Sequence, residues 1–153
     1  MKLARLLVPI SAAALVLSLA SGATQNPIVR WTQLMGADAK APTGTAIVVT
    51  WPSGDHEIFV HVSGLPGAGT YAEHIHANAA GDATCAKQNG AVAVPLTSLV
   101  ADANGVADSY TMVTKAKAPM YPAGKTYVNV HANKPTAVGA SITCGDVESK
   151  MGM

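Results

Sequence analysis

Apolar residues in this chain gather in short runs separated by glycine, proline, asparagine and aspartate, and none keeps a helical spacing beyond a turn or two. The runs read as β-strands. A weak first strand covers Arg30–Met35, with a loop through Pro42 behind it. Thr45–Trp51 (TAIVVTW) is stopped by Pro52-Ser53-Gly54-Asp55, and Glu57–Val62 (EIFVHV) is closed by Gly64-Leu65-Pro66-Gly67. Tyr71–Ala77 is a further strand, and Ala79–Gly90 is loop. Val92–Leu96 and Leu99–Asp102 are short strands. Asn104-Gly105 is the strongest hairpin signal in the chain, and Val106–Val113 answers it. Lys115–Gly124 is loop, and Thr126–His131 and Ser141–Cys144 complete the set. About eight strands with close turn signals indicate an all-β sandwich or barrel. Parallel α/β architectures are disfavoured, because no crossover helices are on offer.

The first residues stand apart from this pattern. Lys2 and Arg5 form a short positive region, Leu6–Ala20 is apolar but for Ser11, Ser18 and Pro9, and Ser21-Gly22-Ala23 supplies small residues for cleavage. Residues 1–23 are therefore expected to be a secretory signal peptide, too short and wrongly flanked for a membrane span. The remaining 24–153 are expected to form one domain, exported to the periplasm or the cell exterior. No later run has the length of a span. Eight Lys and Arg against nine Asp and Glu leave this part at −1 with no basic cluster, which argues against nucleic acid as a partner. Charged residues are 12% of the chain, so its polar surface rests on Ser, Thr, Asn and Gly. Cys85 and Cys144 are the two cysteines, and in an exported chain the default is one disulfide rather than a pair of metal-binding thiolates.

Candidate chemistry sits in Tyr71–Asn78 (YAEHIHAN). His74 and His76 are two apart, which on a strand puts them on one face, where two imidazoles can tilt onto one ion. His131 ends a second strand-like run. The competing reading is that surface strands sometimes carry histidines. His61 reads as an ordinary strand residue and His56 as a solvated turn residue. Glu73 should point to the opposite face from the pair. Asn78, Asp82 and Gln88 could each offer an oxygen from the loop, with nothing to single one out. Met151 and Met153 lie in the tail as soft donors but form no copper-binding run.

The run His74-Ile75-His76 followed nine residues later by Cys85 resembles the secreted Cu/Zn superoxide dismutases. So do Leu99–Asp108 (LVADANGVAD), Tyr127–His131 (YVNVH) and Cys144-Gly145-Asp146-Val147, and the pieces stand in that family's order. His74-Ile75-His76 and Tyr127–Ala132 also resemble the CHRD domains, a β family named for chordin. The dismutase resemblance implies an eight-stranded Greek-key barrel. It implies that His74, His76 and His131 match three copper ligands, and that Cys85 and Cys144 match a disulfide tethering the active-site loop. Departures are equally plain. No histidine lies between Cys85 and Gly105 to bridge copper and zinc, so zinc is not expected. Gly139–Thr143 holds no cation before Cys144 to guide an anion. Three functions follow as expectations: a copper-dependent enzyme acting on superoxide, a non-catalytic copper-buffering or delivery protein, or a metal-free structural β-domain of CHRD type.

Overall fold

The computed structural model describes residues 26–117, 125–132 and 138–147. The expected signal peptide, the domain start at residue 24, the prolines of the 115–124 loop and the tail methionines lie outside the described residues. Among the described residues there is no helix, and so none long and apolar enough to cross a membrane. Ten strands are present: β1 (Ile28–Leu34), β2 (Thr43–Thr50), β3 (His56–Ser63), β4 (Gly69–Tyr71), β5 (Glu73–Ala77), β6 (Ala91–Pro95), β7 (Leu99–Ala101), β8 (Ala107–Val113), β9 (Thr126–His131) and β10 (Ser141–Val147).

Eight of them form two four-stranded antiparallel sheets, in the orders β1-β2-β3-β8 and β10-β9-β5-β6; β4 and β7 form a separate two-stranded ribbon. Strict alternation builds the core between the sheets. In β3, Ile58, Val60 and Val62 face in while Phe59 and His61 face out. Val48, Ile58, Val60 and Val62 of the first sheet pack in one cluster with Ile75, Val128 and Val130 of the second. Each such side chain contributes roughly 1.5–3 kcal/mol on burial. The sheets do not close into a barrel. Between β1 and β10 a single bridge, Met35 to Cys144, joins their edges.

Three expectations need correction. The run Tyr71–Ala77 is two strands, because Tyr71 pairs with Leu99 in the ribbon whereas Glu73–His76 pair with β9. Asn104-Gly105 does make a tight turn, with Gly105 at φ +72° and the Asp102 carboxylate accepting the amides of Asn104 and Val106. It is not a hairpin, since β7 pairs with β4 and β8 with β3. Gly105 sits against the Leu65 backbone, where an added Cβ would come within 2.2 Å of the Leu65 oxygen. His56 is not solvated. It opens β3, is 5% exposed and bonds the Thr50 hydroxyl through Nδ1. Burial, aided by Arg30, holds its pKa below the usual histidine range.

Glu73 faces inward as expected, and the packing there is unusual. It is 1% exposed, accepts the Ser109 hydroxyl across the core on Oε1, and leaves Oε2 without a partner among the described residues. Burial pushes its pKa up to about 7, and the Ser109 bond offsets only part of that. A carboxyl whose pKa rises on folding adds stability below its unfolded value and loses it as pH climbs through the folded one. The loss amounts to about 3 kcal/mol at most. Glu73→Gln keeps an acceptor for Ser109 and removes the charge. Its thermal midpoint relative to wild type is expected to rise between about pH 5 and pH 8, measured by scanning calorimetry. A constant difference across that window would show that Glu73 does not titrate there.

Candidate metal centre

Ladder register brings the three candidate ligands together. β5 and β9 pair with His74 opposite Asn129 and His76 opposite Tyr127. Ile75, Val128 and Val130 occupy the inward face of these strands. His74, His76 and His131 therefore share the outward face of the second sheet. Their ring centroids lie 5.8 Å (His74 to His76), 5.1 Å (His74 to His131) and 5.9 Å (His76 to His131) apart. One ring nitrogen from each lies within 4.8 Å of the other two. A tetrahedral ion with bonds of about 2.0 Å needs its donors about 3.3 Å apart, a gap that ring tilting closes.

The hydrogen bonds decide which nitrogens are on offer. His76 Nδ1 is 3.0 Å from the Gly90 carbonyl and His131 Nδ1 is 3.0 Å from the Gly139 carbonyl. A carbonyl only accepts, so each Nδ1 carries a proton, and in the neutral ring each Nε2 keeps its lone pair. Among the described residues, both Nε2 atoms are buried without a hydrogen-bond partner, as is His74 Nδ1. Buried polar atoms are ordinarily paired, and unpaired imidazole nitrogens on three neighbouring rings are a donor set that could hold a metal ion. Burial and the neighbouring imidazoles hold the His74 pKa below the usual range, and burial does the same for His131 despite its bond to Gly139.

The 78–90 loop covers this face. Cys85 and Cys144 are bonded, tying the loop to β10, and the Cys85 amide donates to the Asp146 carboxylate at 2.6 Å. Gln88, at φ +48°, donates to the Cys85 carbonyl and the Cys144 sulfur and accepts from the Asn129 amide at 2.9 Å. Asn129 in turn accepts the Ser141 hydroxyl. The Tyr127 ring stacks on His76, centroids 4.9 Å apart and 11° from parallel. Gly90 fits closely here: a Cβ would lie 2.9 Å from the Ala77 nitrogen and 3.0 Å from the His76 Cβ.

Residues 30–137 match the CHRD domain family, well over half of the chain. The chain belongs to the CHRD domain family. Of the two resemblances read in the sequence, the match supports this one. No curated protein matches the chain. The match takes in all three histidines and Cys85 and stops short of Cys144.

Within this CHRD domain the other candidates fall away from the cluster. His61 lies on the outer face of the first sheet, paired with Asp108 at 2.8 Å. The loop oxygens are committed elsewhere: Asn78 and Asp82 bond each other, and the Gln88 oxygen is held by Asn129. Sequence reasoning missed Tyr127, Asn129 and Ser141 as supports of the site. Tyr127 and Asn129 carried a signal, since they share the period-two face of His131. The carbonyls of Gly90 and Gly139 carried none.

Closing the 59-residue separation between the cysteines removes unfolded-state entropy worth about 4 kcal/mol in the chain-entropy account. The paired change Cys85→Ser and Cys144→Ser is expected to lower unfolding free energy in urea by roughly 2–4 kcal/mol. No alkylatable thiol should appear in the non-reduced wild type.

Proposed function

We propose that this CHRD domain is a structural β-domain that holds one transition-metal ion at His74, His76 and His131 and turns over no substrate. The observation that carries this reading is the set of three buried ring nitrogens without partners, two of them aimed by backbone carbonyls. His74 would bind through Nδ1, His76 and His131 through Nε2. Imidazole donors suit copper, zinc and nickel alike, and the motif resemblance selects copper. A bound ion would supply positive charge and an open coordination position. The chain's own part is to orient the imidazoles, with the Gly90 and Gly139 carbonyls fixing a proton on Nδ1 of His76 and of His131. The disulfide fits an oxidising compartment, in keeping with export.

A second reading, a copper-dependent superoxide dismutase with a Greek-key fold, draws on the order of the motifs and on the four-and-four division of the strands. Against efficient turnover stand the missing histidine between Cys85 and Gly105 and the missing cation in Gly139–Thr143. Without that cation an anionic substrate gains no local concentration beyond what the metal attracts.

Copper titration of the wild type should give one site per chain. His76→Ala and His131→Ala are expected to weaken it by more than about 100-fold, and His61→Ala, on the other sheet, to leave it unchanged. Equal affinity in all four proteins would place the metal elsewhere. A superoxide assay normalised to bound copper separates the two readings: no turnover above free copper is expected, and sustained turnover abolished by His131→Ala would favour the enzyme.

A further inference from the structure

The outer face of the first sheet carries an apolar row that the metal centre does not use. Trp31, Ile47, Phe59 and Tyr110 stand side by side across β1, β2, β3 and β8, each the ladder partner of the next. They are 46%, 40%, 42% and 47% exposed, and Met112 beside them is 58% exposed. Phe59 is the chain's one phenylalanine, a residue type that ordinarily goes to the core. Its ring meets that of Tyr110, centroids 4.9 Å apart, along a shallow depression of about 420 Å³.

We propose that this face is the interface of a two-fold symmetric dimer, occupied by a second copy of the chain. A two-fold axis parallel to the strands, between β2 and β3, reverses the order of the row. Trp31 then lies over the partner's Tyr110 and Ile47 over the partner's Phe59, so an aliphatic side chain meets a ring and large meets large at the edges. One residue pair along, the ladders set Gln33, Thr45, His61 and Asp108 in a parallel polar row. The same axis places Gln33 over the partner's Asp108 and Thr45 over the partner's His61, an amide donor against a carboxylate and a hydroxyl against an imidazole. The patch is self-complementary, as an isologous interface requires, and two sheets stacked face to face are a standard packing.

Area supports the same occupant. At these exposures each ring leaves roughly 70–110 Å² in water. With Ile47 and Met112 the apolar patch is about 400 Å² per copy, in the range of the largest patch on a typical monomer, which is often functional. Two copies with their polar rows reach the roughly 1,000 Å² that a specific interface needs.

Sedimentation equilibrium of the disulfide-intact, metal-free full chain tests this independently of the metal centre. The wild type should have twice the chain mass. Phe59→Ser and Tyr110→Ser should each weaken the dimer at least about tenfold with an unchanged circular dichroism spectrum. Val100→Ser, on β7 and 70% exposed, should leave it intact. Gln33→Glu, an exposed change that faces the partner's Asp108, should weaken the dimer and Gln33→Lys should tighten it. A wild type monomeric at every concentration, a dimer indifferent to the row substitutions, or a monomer whose row instead binds soluble polysaccharide would each overturn the proposal.

Discussion

Strand β9 is buried along its whole length although only one of its faces is apolar, and the arrangement of the domain follows from that. Val128 and Val130 sink into the core, while Tyr127, Asn129 and His131 are covered from outside. A polar face can be covered only if its groups find partners, since an unpaired buried amide or imidazole costs on the order of 1–3 kcal/mol. Asn129 meets that condition through Gln88 and Ser141, and Gln88 is held in turn by the disulfide corner. The loop thus acts as a lid in hydrogen-bond register with the sheet beneath it. Among the described residues, the buried side-chain atoms left unpaired on this covered face are imidazole nitrogens, a donor set that could bind a metal ion.

The two sheets divide the work. The second is covered and polar on its outer side along β9, and its irregularities, between Ile75 and His76 on β5 and between Ser141 and Thr143 on β10, fall next to the histidines or their supports. Such bulges re-aim side chains without breaking a strand. The first sheet is regular throughout and bare on its outer side, with a row of rings and aliphatic groups at the surface beside the His61–Asp108 pair. Glu73 and Ser109 join them through the core, a polar contact between layers otherwise packed from Val, Ile and Leu.

Local pattern carried much of this into the sequence. Period-two spacing put His74 and His76 on one face and turned Glu73 inward, and turn residues marked most strand ends. What escaped was non-local. Tyr71–Ala77 looks continuous until its two halves are seen to pair with different strands. Asn104-Gly105 specifies a tight reversal but not which neighbours the flanking strands choose. His56 follows Gly54-Asp55 and reads as a turn, yet the Thr50 hydroxyl and the β2 ladder draw it under cover. The carbonyls that set the imidazole tautomers belong to glycines, whose identity says nothing about where their oxygens point.

The disulfide ties the segment that matches the family to a strand outside the match. The family match spans residues 30–137, and Cys144 and the whole of β10 lie beyond it. A fragment cut to the recognisable segment would strip β9 of one flanking strand and turn its row of amides and carbonyls into an open edge, ready to pair with another molecule. It would also leave Cys85 without its disulfide partner. The last strand is therefore the clasp of the matched segment: it covers the β9 edge and carries the cysteine that anchors the loop.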